Sequence, residues 1–214
     1  MSNPHLSSLN LVPSSFNPDQ ALAALLAGNQ RFVEQQQNHP HQDFNRLSSV
    51  AEHQAPFAAI LSCADSRVIP EILFDQGIGD LFVIRVAGNI AAIEDIASVE
   101  YAVFVLQVSL VVILGHERCG AVQATLAGNP LPGAMHTLVN AIQPAVERSA
   151  QEEGDRLANA VKANVQLQGQ RLCSSPVIKD AIAKGALRII GAYYDLDTAL
   201  IETMEICPVP VVTI

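Results

Sequence analysis

The sequence predicts an α/β fold: a mostly parallel central β-sheet flanked by helices, with a hairpin-like strand near the C-terminal end and a helical arm near the N-terminal end. Three observations carry that expectation. Residues 57–63, 81–87 and 110–114 are short apolar runs of the kind found in strands buried on both faces. Helical patterns separate the later runs, and a β-α-β succession builds one mostly parallel sheet with helices on both faces. The first and third runs end abruptly in polar clusters, Cys63-Ala64-Asp65-Ser66-Arg67 and Gly115-His116-Glu117-Arg118-Cys119. The carboxyl ends of strands are where open α/β sheets place their ligands.

Taken in order, residues 1–16 are rich in Ser, Asn and Pro and read as a flexible arm, leaving 17–214 as a single domain. Asn17-Pro18-Asp19 opens a helix, with Asn17 as N-cap, Pro18 at the first helical position and Asp19 against the helix dipole. Leu22, Leu25, Leu26, Phe32 and Val33 form its apolar stripe. Residues 35–45 read as an exposed connection; His39-Pro40-His41 within it would suit a metal clip only outside a solvated polar loop. The first strand follows, then a helical turn at 71–74, a Gly-rich turn at 76–80 and the second strand, closed by Gly88-Asn89. Residues 93–106 predict a helix that is apolar almost all round, hence buried in the core or against another subunit. After the third strand a helix begins at Cys119 and stops at Gly128-Asn129-Pro130. The pattern from 136 to 185 is helical with an interruption at Ser174-Ser175-Pro176. Residues 187–194 predict a fourth strand, 195–205 its hairpin return, and Pro208-Val209-Pro210 the start of an extended tail.

The chain has 214 residues, half of them hydrophobic and 15% charged, enough for one domain with a large core. Its formal net charge of −9 argues against nucleic acid or an anionic membrane as partner. A small anionic substrate remains compatible with a local metal and arginine. No apolar run is long enough for a membrane span, and residues 1–13 lack the basic start and apolar core of a signal peptide. Four cysteines in a chain of this length make no disulfide framework. The expected setting is therefore a reducing cytoplasm, with Cys173 and Cys207 as packed small hydrophobes.

Two predicted strands end in Cys63 and in His116 with Cys119, and two thiolates with an imidazole form a zinc donor set. Three protein ligands leave a fourth position for water, the catalytic pattern; a fourth protein ligand closes a structural site. Cys119 also starts a helix, whose dipole favours its thiolate. Asp65 stands two residues after a ligand, so it could bind the metal or accept a proton beside it. Arg67 could pair with Asp65, keep it ionised and hold it away from the metal.

Cys63-x-Asp65-x-Arg67 with His116-x-x-Cys119 resembles the zinc signature of the β-class carbonic anhydrases. The run Phe82-Val83-Ile84-Arg85-Val86-Ala87-Gly88-Asn89, the segments Cys119-Gly120-Ala121-Val122 and Gly28-Asn29-x-Arg31-Phe32, and Gly191-x-Tyr193-Tyr194-Asp195-Leu196 are similar to that family too, so the resemblance spans roughly residues 17–203. Ala64 stands where the family's commonest residue is serine, which changes no ligand. By position relative to the ligands, Gln54, Phe82 and Tyr101 match the glutamine, phenylalanine and tyrosine around the substrate pocket of plant-type members. The other main subgroup has a tryptophan near the first ligand for a regulatory bicarbonate site, and this chain has no tryptophan.

The resemblance implies reversible hydration of carbon dioxide to bicarbonate and a proton, with one Zn²⁺ per chain on Cys63, His116 and Cys119. It implies Asp65 and Arg67 as catalytic residues, and Gln54, Phe82 and Tyr101 as the substrate-binding wall. It further implies a homodimer or a multiple of dimers with pockets at the subunit interface. The chemistry is that of zinc supplying hydroxide near neutral pH. Two thiolates cancel the charge of Zn²⁺, so acidification of its water should be weaker than with three neutral histidines. Two other readings keep the same residues: hydrolysis of carbon disulfide or carbonyl sulfide, and a non-catalytic zinc protein with Asp65 permanently on the metal. The Asp65–Arg67 pair and Gln54 argue against the latter.

Overall fold

The computed structural model describes residues 16–207, so the expected arm, apart from Phe16, and the expected tail at Pro208 lie outside the described residues. The strands are β1 (Ala58–Ser62), β2 (Leu81–Arg85), β3 (Leu110–His116), β4 (Arg188–Tyr194) and β5 (Ile201–Glu205). They form one sheet in the order β2-β1-β3-β4-β5. The first four are parallel, and β5 returns antiparallel on β4. This is the expected architecture, hairpin return included.

Alternate residues of the central strands feed two cores. Ala59, Leu61, Val111, Ile113 and Ile189 face one side, under α4 (Ile93–Phe104), α7 (Arg156–Cys173) and α8 (Pro176–Ala183). Ala58, Ile60, Leu110, Val112 and Ile190 face the other, under α1 (Pro18–Val33) and α3 (Pro70–Leu73). Two-sided burial is why these strands read as continuous apolar runs and not as alternating ones.

The N-terminal helix α1 starts as its sequence dictates. Asn17 accepts from the Gln20 N–H at 2.9 Å, and Gln20 accepts from the Asn17 N–H at 3.0 Å. Gly28 on α1 packs so closely on the backbone of Phe74 that a Cβ would fall 1.7 Å from its carbonyl oxygen. Asn29, beside it, donates to the carbonyls of Leu73 and Ala199 and accepts from the Ile201 N–H. The Gly28-Asn29 pair thereby ties the helix to α3 and to the β4–β5 turn.

α7 approaches the sheet just as closely. A Cβ on Gly115 would lie 2.5 Å from Val165 Cγ2, and one on Gly191 2.6 Å from Val165 Cγ1. Val165 is thus a knob seated over two glycines of the adjacent strands β3 and β4.

Several expectations are corrected. The exposed connection at 35–45 leads into a further helix, α2 (Phe44–Val50), capped by Asp43 and presenting Phe44 and Leu47 to solvent. The sequence reads His39-Pro40-His41 as a polar loop and not as a metal clip, and His41 Nδ1 there lies 2.8 Å from both oxygens of Asp80. The helical stretch from 136 is cut once more than expected, because α6 (His136–Arg148) ends before α7 begins at Asp155, its N-cap. Cys173 and Cys207, read as packed hydrophobes, do touch the core but are joined as a disulfide, with their Cα atoms 6.7 Å apart. The apolar helix expected to be buried in the core or against another subunit is α4, which buries Val99, Ala102 and Val103 within the chain and leaves Ile93 72%, Tyr101 45% and Phe104 52% exposed. Within one chain the apolar helix is covered on one face only, and the neighbouring edge strand β2 is only half-buried.

Candidate metal centre

Cys63 follows the last residue of β1. On the adjacent parallel strand β3, Ser62 pairs with Leu114, so Cys63 stands beside the Gly115-His116 end. A residue with positive φ, Arg118, then turns the chain so that Cys119 becomes the N-cap of α5 (Gly120–Ala127). The turn is anchored from β4: the Glu117 N–H donates to the Tyr194 carbonyl at 2.8 Å, and the Glu117 carboxylate accepts from the Leu196 N–H.

The outcome is convergence. One donor atom each from Cys63, His116 and Cys119 lie within 4.8 Å of one another, and all three residues are buried. His116 Nδ1 lies 2.8 Å from the Glu117 carbonyl oxygen. A carbonyl only accepts, so Nδ1 carries the proton and Nε2 carries the lone pair. That Nε2 is buried and has no hydrogen-bond partner. An orphaned acceptor aimed among two sulfurs is a poor structural feature and a good ligand. The donor set fits a tetrahedral, thiolate-rich ion such as Zn²⁺.

The sulfurs are prepared for deprotonation. The hydrogen bond from Cys119 is the largest influence holding the Cys63 thiol down to about 4; burial opposes it, and the Gly88 N–H, at 3.2 Å from the sulfur, adds to it. The same bond pushes Cys119 up, with burial second, while the Val122 and Ala121 N–H groups at the start of α5 pull it down. A cation bound between the two sulfurs would displace the thiol protons.

Asp65 and Arg67 form a two-pronged pair. Arg67 Nε donates to Asp65 Oδ1 at 3.0 Å and Nη2 to Oδ2 at 2.8 Å; the Arg67 backbone N–H adds a third bond at 2.9 Å. Arg67 first of all, against the pull of burial, holds the Asp65 carboxyl far below the usual carboxylate range. Asp65 Oδ2 sits 3.8 Å from His116 Nε2, at the edge of the donor cluster.

The three expected pocket residues lie elsewhere in the chain. Phe82 and Tyr101 are neighbours, with ring centroids 6.1 Å apart. Phe82 pairs with Ala59, three residues before the end of β1 and so roughly 10 Å back along the strand. Gln54 is exposed and precedes β1 altogether. These three sit toward the amino ends of the strands, and the donor cluster sits at the carboxyl ends.

Two residues went unread as parts of the centre. Arg85 donates to the carbonyls of Cys63 and Asp65, at 3.3 and 2.8 Å, and so braces the loop that carries them. Gly88 donates to the Cys63 sulfur. Both lie in the Phe82–Asn89 run, whose closeness to the family pattern was their available signal.

Comparison with known proteins agrees with this geometry. A family model described as carbonic anhydrase matches residues 58–201, which include all three donor residues. The chain belongs to the β-carbonic anhydrase family. Carbonic anhydrase 2 of Mycobacterium tuberculosis H37Rv is 41% identical over 186 residues, covering 85% of this chain and 90% of that protein. The carbonic anhydrase of Mycolicibacterium smegmatis is 39% identical, covering 89% and 95%. Among solved structures, one of the tetrameric β-carbonic anhydrases from Sordaria macrospora superposes with a TM-score of 0.70 at 28% identity, over 86% of this chain and 94% of that one. The Coccomyxa β-carbonic anhydrase in complex with acetazolamide gives 0.69 at 29% identity, over 86% of each chain. Among the described residues no helix is long and apolar enough to cross a membrane.

Proposed function

We propose that this chain catalyses the reversible hydration of carbon dioxide to bicarbonate and a proton at one zinc ion held by Cys63, His116 and Cys119. The observation that carries this reading is the buried, unpartnered His116 Nε2 directed among two sulfurs, in a chain of this family. Zinc in such a site lowers the pKa of a bound water and so supplies a nucleophile near neutral pH.

The chain's own groups prepare the rest. Arg67 keeps Asp65 ionised and turned toward itself, leaving a carboxylate edge beside the cluster that can accept and orient a proton. Arg85 holds the backbone of both Cys63 and Asp65, so the ligand and the acceptor keep one spacing. The apolar wall for a linear, uncharged substrate falls to Phe82 and Tyr101, and donation to a bicarbonate oxygen to Gln54. Because these three lie at the opposite end of the strands, a second copy must supply them. The uncovered α4 face and the half-buried edge strand β2 support that assembly. A cytoplasmic setting would keep Cys63 and Cys119 free to bind metal, and the Cys173–Cys207 bridge is the feature that argues for a more oxidising one.

Stopped-flow measurement of carbon dioxide hydration by the zinc-loaded protein tests the proposal, alongside Cys63→Ser, His116→Ala and Cys119→Ser. Each variant should lose zinc, by elemental analysis, and turnover together. Full zinc and full rate in any of the three would overturn the ligand set. Turnover of carbonyl sulfide without turnover of carbon dioxide would overturn the substrate.

A further inference from the structure

Asn164 and Gln168 are one turn apart on α7, and both are 0% exposed. Neither touches a candidate metal ligand. Burying two amides in a core cluster is costly unless every polar atom is matched, and here the matches run to one short segment. Asn164 Nδ2 donates to the Gly88 carbonyl at 2.9 Å. Gln168 Nε2 donates to Asn164 Oδ1 at 2.8 Å and to the Ala141 carbonyl at 3.2 Å. Gln168 Oε1 accepts from the Ala91 N–H and from Arg171, each at 3.0 Å. The pair therefore grips the segment at both ends, at Gly88 and at Ala91.

Gly88 needs such a grip. Its φ is +73°, a region glycine enters freely but also leaves freely. Its N–H is the donor to Cys63 Sγ at 3.2 Å. Asn164 fixes the peptide plane that follows Gly88, and the Asn89 N–H fixes the same plane by donating to the Val86 carbonyl at 2.9 Å. Holding that plane favours the Gly88 backbone in which its own N–H reaches the sulfur. A larger residue there would be strained by the positive φ and would press on Ile142 Cδ1, 2.7 Å from its Cβ, and on Ala121 Cβ at 3.1 Å.

We propose that Asn164 and Gln168 are positioning residues for the metal centre, holding Gly88 so that its N–H bonds the Cys63 thiolate. This deepens the proposed function and rests on Cys63 being a metal ligand. An N–H···S bond withdraws electron density from the sulfur, so the thiolate donates less to the ion and leaves it a stronger Lewis acid. In a site with two thiolates, where excess donation is the handicap, a buried clamp of this kind restores acidity.

The test uses cobalt(II) in place of zinc, in the full-length chain. Wild type should show a thiolate-to-cobalt charge-transfer band. Asn164→Ala and, independently, Gln168→Met should shift that band to longer wavelength, because the sulfur becomes more electron-rich. Each should also weaken metal binding about 10- to 100-fold in a competition titration with a chromophoric chelator, because Cys63 is no longer held in place for the ion and lost positioning outweighs the stronger sulfur donor. Ile178→Ala, buried on α8 in the same core cluster as Ala91 but in no hydrogen bond to Gly88 or Ala91, controls for general destabilisation and should leave the band in place. If either folded variant keeps both the wild-type band and wild-type affinity, the clamp is overturned while the ligand reading stands. If wild type itself shows no thiolate band, both fall together.

Discussion

Gly115→Ala should unseat the helix that braces the metal centre. Gly115 has no left-handed backbone to protect, so the reason for glycine there is space. A Cβ would stand 2.5 Å from Val165 Cγ2 and 3.1 Å from Val161 Cγ1. Both neighbours are β-branched residues on a helix, held near one χ1, and cannot swing aside. Carbon contacts settle at about 3.5–4.0 Å, so α7 must retreat locally by about 1 Å. Overpacking of this kind costs about 1–3 kcal/mol. For a chain of this size each kcal/mol lowers Tm by about 2–4 °C, giving a fall of about 2–12 °C. The retreat also moves His116, next along β3, and Asn164, next to Val165, so zinc affinity should fall with stability. Thermal denaturation followed by circular dichroism measures the first, and a chelator competition the second. Val165→Ala in the Gly115→Ala background should recover part of both losses, a departure from additivity of about 1 kcal/mol or more. A Gly115→Ala protein melting within about 1 °C of wild type, or a double variant equal to the sum of the singles, would refute the knob-over-glycine account.

Asp65→Asn should keep zinc yet lower kcat by about a hundredfold, the typical contribution of a positioned proton acceptor. Arg67→Ala should lower kcat while adding an oxygen to the metal's coordination shell by X-ray absorption; an unchanged shell would show that Arg67 does not hold Asp65 off the metal. Phe104→Asp, on the exposed face of α4, should leave the fold intact but reduce the mass in light scattering, and activity with it; a fully active monomer would refute the shared pocket. Asp75 supplies a pH test remote from the centre. Burial opposes its charge, but the Asn38 N–H, Arg31 and the His39 N–H outweigh burial and hold its carboxyl below the ordinary value. A depressed folded pKa stabilises above the unfolded value of about 3.9 and is lost as pH falls through the folded one. Asp75→Asn should therefore cost about 1–3 kcal/mol at pH 7 in urea denaturation, with the gap to wild type closing below about pH 4. A gap of equal size at pH 3 would refute it.

What could be read from the sequence follows what a single stretch of chain encodes. The strands that bury both faces announced themselves as apolar runs, and the donor residues were legible because each ends such a run. The cap of α1 was legible because Asn17 and Gln20 satisfy each other across three residues. The Asp65–Arg67 pair was legible because its partners are two residues apart. What was missed is set by long-range partners. Cys173 and Cys207 look like isolated hydrophobes until β5 brings them together across a separation of 34 residues. Asn164 and Gln168 look like ordinary polar positions of a helix until the fold sets Gly88 and Ala91 against them, more than seventy residues away in sequence.

Tyr101 and Phe104 mark the other boundary. Their pattern called for a covered helix, and the chain by itself covers only the face with Val99, Ala102 and Val103. Strands β1 to β4 run in parallel, so a residue just before one of them lies at one end of the sheet and a residue just after it at the other. Gln54, before β1, and Phe82, early in β2, therefore lie toward the amino ends, away from Cys63 at the carboxyl end of β1. α4 runs back toward the amino ends, which carries Tyr101 to the same side as Phe82. A two-fold axis beside the β2 edge would reverse the strand direction of the neighbour and lay one chain's amino ends by the other's carboxyl ends. The residues that make no sense as one chain's pocket then become the natural wall of its partner's, and the apolar face of α4 is covered by the same contact.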